Sequence, residues 1–286
     1  MNKFKGIPPI FYLNLDHRTD RKEHIENQFK KWDITDYTRW SASTYDVRNV
    51  DTWGRQLDQM LLAPSDASIL MNEWHLLIEW YKSGISEYCV VVQDDLCLDL
   101  AEYWPFEWQD IMKALPYNWD IVQFYYCHDW KLSMHLHPRT WHSSSAACFM
   151  VNRFFVEKLM QLHVNPDGSI RTDQSLRDLE VPRESYSSDD FLLYQIAKSY
   201  TIPLLTLDPK LAVAQDNNQS SNTDVDNYNP VIAVYHNKIY DILSTTCTKQ
   251  WWETQSSNFS AEDILSWGRP VHKQMTMLLP QYDRLG

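Results

Sequence analysis

The stretch "EYCVVVQDDLCLDL", residues 87 to 100, constrains the fold more than any other. Val90, Val91 and Val92 form an unbroken apolar run of strand length, the pattern of a central strand covered on both faces. Each face of the sheet must then be covered by another layer of structure. Asp94 and Asp95 follow at once, and bare charge at the end of a buried strand is costly unless something compensates it.

The rest of the chain supplies the layers. "IPPIFYLNLD" reads as a first strand over Ile10 to Leu15. "TDRKEHIENQFKKW" reads as a helix, with Asp20 and Glu23 at capping-box spacing and Ile25, Phe29 and Trp32 on one face. "YTRWSAS" is a second candidate strand, and Pro64 and Ser65 open a long helix that Gly84 closes. Further on, "WQDIMKALP" is helical, "WDIVQFYY" is a strand, and "SSAACFMV" is a strand running into the helix "NRFFVEKLMQLH". "SSDDFLLYQIAKSY" is a helix leading to the strand "TIPLLTLD". Strands alternating with helices of about 10 to 15 residues predict an α/β fold with a mostly parallel central sheet, whose ligands sit beyond the carboxyl ends of the strands. The polar, turn-rich "DNNQSSNTDVDNYNP" marks a change of character near Asp216. Residues 1 to 215 are therefore assigned to the main domain. Residues 216 to 286 are assigned to a small, mainly helical C-terminal extension packed on it.

Composition excludes some partners. A formal net charge of −12 argues against nucleic acid, whose binding rests on Lys and Arg. No stretch of about 18 apolar residues suggests a transmembrane segment, and the N-terminus lacks the pattern of a secretory signal. Cys89, Cys97, Cys127, Cys148 and Cys247 are scattered, without the close spacing of a zinc or redox pair. The expectation is a soluble, cytoplasmic protein in a reducing compartment.

Strand alternation places Val91, Gln93 and Asp95 on one side of the strand and Val90, Val92 and Asp94 on the other. A hard divalent cation, Mg²⁺ or Mn²⁺, held by one or two carboxylates and by ligand phosphates, would offset the charge. The alternative is a pair of solvated or turn-capping aspartates.

These segments together resemble family 25 glycosyltransferases, the group of bacterial lipopolysaccharide and procollagen galactosyltransferases. "FYLNLDHRTDR" resembles the family's "INL-x-x-R-x-x-R" opening, and "VVVQDD" its "EDD" form of the metal-binding D-x-D element. "SSAACFMVNRFFVEKLM" resembles its strand-and-helix segment. "SSDDFLL" with "LDPKLAVAQDNNQSSN" is similar to its closing helix, strand and Ser-rich turn. The resemblance runs from Ile10 to Asn222 in family order. Two departures stand out: Gln93 replaces the first acid of "EDD", and Asn72 and Glu73 stand where the family carries "SH".

The resemblance implies a GT-A-type nucleotide-binding sandwich using Mn²⁺ or Mg²⁺ and a nucleotide diphosphate sugar, a UDP-hexose, as donor. It implies transfer of galactose or glucose to a hydroxyl of a glycan or hydroxylated acceptor. On that footing Leu13, Asn14 and Leu15 offer groups to the base or ribose, Arg18 and Arg21 approach the phosphates near a helix N-terminus, and Gln93 reaches the ribose. Asp95, with Asp94, holds the metal, and His236 is the candidate late histidine of its shell. Asp189, with Asp190 as alternate, is the candidate base at a helix start, which implies inversion; simple capping by Ser187 and Asp190 is the alternative. The departures motivate a different class of reading, a catalytically degenerate GT-A-fold protein that binds a glycan or protein.

Overall fold

The computed structural model describes residues 2–44, 64–125, 136–139, 145–165, 197–211 and 230–245. Its centre is a seven-stranded sheet in the order β2-β1-β3-β7-β5-β8-β6. The strands are β1 (Ile10–Leu15), β2 (Tyr37–Ala42), β3 (Tyr88–Gln93), β5 (Ile121–Gln123), β6 (His137–Pro138), β7 (Cys148–Asn152) and β8 (Ser199–Thr201). Pairing is parallel for β1 with β2, β1 with β3 and β5 with β8. It is antiparallel where β7 lies between β3 and β5 and where β6 joins β8. Five strands thus point one way and two the other, so the sheet is mixed but mostly of one direction. β4 (Leu96–Cys97) and β9 (Thr206–Leu207) form a separate antiparallel pair.

The triple-valine strand is covered on both faces, as its composition requires. Val90 and Val92 pack into one core with Tyr12, Ile25 and Phe29, while Val91 and Cys89 pack into the other with Leu70, Trp74 and Phe155. The first core is roofed by α1 (Thr19–Lys31), α3 (Trp108–Ala114) and α5 (Pro230–Thr245); the second by α2 (Pro64–Ser83) and α4 (Arg153–His163). Trp104, Trp108, Phe106 and Phe124 fill the first core, which is where much of the aromatic content goes. Ile239 and Leu243 of α5 join that core, so this helix of the proposed extension shares the main domain's interior.

Several local expectations are revised. α1 has no capping box: its N-cap is Arg18, without a side-chain cap, and Asp20 is engaged by the Arg18 guanidinium instead. A reciprocal box occurs at α3, between Glu107 and Asp110. The strand read over "TIPLLTLD" is broken into β8 and β9, because Pro203 has no N–H to continue a ladder. Leu204 and Leu205 instead donate to the carbonyl of Phe124, each at 3.1 Å. Of the segment "SSDDFLLYQIAKSY" read as a helix, residues 187–196 lie outside the described residues, and Ser199 and Tyr200 belong to β8.

The chain order matters for function. From β1 the chain passes through α1 on one face to β2, and from β2 through α2 on the opposite face to β3, on the other side of β1. Strand order therefore reverses at β1, and the crevice beyond the carboxyl ends of β1 and β3 is a topological switch point, the place where open α/β sheets bind ligands.

Candidate functional site: the acidic turn at the switch point

The β1–β3 ladder stops at Leu13 opposite Gln93, whereas β1 stays paired with β2 as far as Leu15 opposite Ala42. Beyond Leu13 the two strands part, and the chain after β3 turns through Asp94 and Asp95 into β4. Both aspartates are buried, at 6% and 7% exposure, so their charge needs compensation from within.

Arg21, from the first turn of α1, supplies it. Its Nη1 donates to Asp94 Oδ1 at 3.0 Å and lies 3.5 Å from Asp95 Oδ2. Its Nη2 donates to the carbonyl of Leu211. Asn14, at the end of β1, donates from Nδ2 to Asp94 Oδ2 at 2.8 Å and to the carbonyl of Arg18 at 3.0 Å. Arg39 of β2 donates from Nε to Asn14 Oδ1 at 2.9 Å, which fixes the orientation of the amide, and also pairs with Asp16. Ser41 and Arg39 hold the Asp16 carboxyl below its usual range.

Asp94 therefore does not face away from Asp95, as alternation along the strand predicts. β3 ends at Gln93, and the turn swings both carboxylates onto one guanidinium. The outcome is unequal. Both oxygens of Asp94 have donors, while Asp95 Oδ1 has none among the described residues. Burial raises the pKa of Asp95, with Asp94 adding to the rise and Arg21 opposing it.

A second layer fixes the turn from below. Gln28 donates from Nε2 to the carbonyl of Leu96 at 2.6 Å and accepts from the amide of Leu98. It also contacts Nε2 of His24 at 2.7 Å, and Nδ1 of His24 lies 3.7 Å from Asp208. The amide of Asp208 donates to the carbonyl of Asp95 at 2.8 Å. α1 and the residue after β9 thus hold the backbone from Asp95 to Leu98.

The other expected residues fall as follows. Arg18 stands at the crevice but is held by Asp20 through two bonds of 3.0 and 2.7 Å, and this pulls the Asp20 carboxyl down to about 2. Leu13 is buried in the second core, and the carbonyl of Leu15 accepts from the amide of Arg18. Gln93 is half-buried at the mouth, its amide bonded to the carbonyl of Ala147 at 2.9 Å. His236 lies on α5, which packs on β9 and on the short helical turn Asp99–Tyr103; no described contact joins it to either aspartate. Asp189 and Asp190 lie outside the described residues. Among the described residues no three His, Cys, Asp or Glu side chains form a ready metal cluster. No described helix is long and apolar enough to cross a membrane.

Asn72, one of the departures from the family pattern, has a structural task. Its Nδ2 donates to the carbonyls of Ser43 and Ser68 at 2.8 and 2.7 Å, and its Oδ1 accepts from the amide of Ser43 at 3.0 Å. It pins the exit of β2 to α2. Asn72→Ala should cost about 2 kcal/mol in urea denaturation, because it removes the three hydrogen bonds that this buried amide makes between the end of β2 and α2.

Arg39, Gln28, His24 and Asp208 carry no sequence signal that marks them for this site. Arg39 sits in an unremarkable strand, and only the register of β2 against β1 brings it to Asn14.

No family model matches the chain, and no curated protein matches it. Among solved structures it is similar to one titled "Crystal Structure of A197 from STIV". That likeness has 11% sequence identity, a TM-score of 0.38, and coverage of 70% of this chain and 84% of that one. No family is assigned on these comparisons.

Proposed function

We propose that the chain is a metal-dependent glycosyltransferase of GT-A type. It moves a hexose, galactose or glucose, from a UDP-linked donor to a hydroxyl of a glycan or hydroxylated acceptor, with inversion. One observation carries the reading: a buried carboxylate oxygen, Asp95 Oδ1, has no donor among the described residues and lies at the switch point between β1 and β3. A desolvated, uncompensated carboxylate oxygen suits a hard cation that takes its remaining ligands from water and phosphate, the usual manner of Mg²⁺. Asp95, and Asp94 once released from Arg21, are the residues that would hold Mn²⁺ or Mg²⁺. A cation there supplies Lewis-acid charge for a departing diphosphate.

The chain's own groups support the rest of the reading. Arg21 and the first-turn amides of α1 bring positive potential to the crevice where phosphates would lie. The parted ends of β1 and β3 open the crevice beside Asn14 and Leu15, where a base or ribose would enter. Asp189, with Asp190 as alternate, remains the proposed base.

A second reading, a binding module without turnover, is favoured by the saturation of Asp94, whose oxygens are both occupied. Hydrolysis and transfer assayed over a panel of nucleotide sugars, with Mn²⁺ and with EDTA, separates the two. The transferase reading expects metal-dependent turnover of a UDP-hexose. No turnover of any donor, alongside retained glycan binding, leaves the binding module.

A further inference from the structure

Arg21 differs from an ordinary phosphate-binding arginine. Its side chain is 13% exposed, and one of its nitrogens serves two buried carboxylates whose side chains are each 9% exposed. Its other terminal nitrogen is committed to the carbonyl of Leu211. A divalent cation at this turn would draw on the same two carboxylates, and two cationic groups sharing a desolvated pair repel each other.

We propose that Arg21 is the resident counter-ion of the acidic turn and competes with the divalent cation for Asp95 and Asp94. Cation entry then requires the guanidinium to leave Asp95, which frees a rigid, planar donor fork at the crevice for an incoming phosphate. Metal and phosphate binding become coupled through one side chain: cation alone binds weakly because it must displace Arg21, and phosphate helps by giving Arg21 a new partner. Asn14 suits this exchange, since its bond to Asp94 and its anchoring by Arg39 do not depend on Arg21.

The inference rests on the cation site of the proposed function and not on hexosyl transfer, so it is tested without a donor sugar. Mn²⁺ alone is titrated calorimetrically into the nucleotide-free full chain and into Arg21→Gln and Arg21→Lys. Removing the competing charge in Arg21→Gln should tighten Mn²⁺ binding by about tenfold or more, and the variant's melting temperature should rise more on adding Mn²⁺ than that of the wild type. Arg21→Lys keeps a charge but loses the fork, so its Mn²⁺ affinity should fall between the two while its affinity for UDP with Mn²⁺ drops; it also provides the answer should Arg21→Gln fold poorly. Equal or weaker Mn²⁺ binding in the folded variants, or none in any of the three proteins, overturns the proposal. Absence of sugar transfer with the expected Mn²⁺ order intact would count against the transferase reading alone.

Discussion

Asp95→Asn is expected to make the metal-free protein more stable at neutral pH while removing the metal-dependent activity proposed for it. Asp95 is buried with one oxygen that has no donor among the described residues, and a second carboxylate shares the Arg21 guanidinium beside it. A buried charged group left partly unsatisfied costs about 1–3 kcal/mol. An amide of the same shape relieves part of that charge while keeping an oxygen for Arg21. The gain should be about 1 kcal/mol, a rise of roughly 2 °C in melting temperature for a chain of this size. Turnover of the donor sugar in Mn²⁺ should fall by about 100-fold or more, because the variant removes the carboxylate proposed to hold the cation. Thermal denaturation in EDTA and a coupled donor assay check both halves. A gain in stability that accompanies loss of function is the mark of a residue kept for its chemistry.

Asp120→Ala should do the reverse. Asp120 precedes β5 and is 2% exposed, and its oxygens accept from Nζ of Lys158 on α4 at 3.0 and 3.1 Å. Its Oδ2 also accepts from the amide of Lys198 at 2.9 Å, just before β8. One carboxylate therefore ties α4, β5 and β8 together at the edge of the sheet opposite the acidic turn. Breaking a buried pair and stranding an amide costs about 3 kcal/mol or more, which corresponds to roughly 6 °C or more in melting temperature. Mn²⁺ and UDP affinity measured well below that melting temperature should be unchanged. The two aspartates differ in whether the fold has completed their partners.

The elements that sequence periodicity locates are those governed by short-range rules. The span of β1, the apolar stripe of Ile25 and Phe29 on α1, and the two-faced burial of Val90 to Val92 all follow from the positions of neighbouring residues. The position of the acidic turn at the carboxyl edge is legible for the same reason. Its chemistry is not, because the counter-ion comes from 73 residues away and the strand period stops applying once β3 loses its partners at Gln93. Arg39, Gln28 and Asp208 reach the site through strand register and helix packing, which a linear pattern does not encode. The reversed direction of β7 is likewise a property of the connections, since an antiparallel strand and a parallel one share the same apolar run.

Calorimetric titration of UDP into the wild-type chain, once with saturating Mn²⁺ and once with EDTA, tests the central claim most directly. Binding at least about tenfold tighter with Mn²⁺ is the expected result for a cation-assisted diphosphate crevice at the ends of β1 and β3. Equal affinity in the two conditions, or no binding in either, would contradict it.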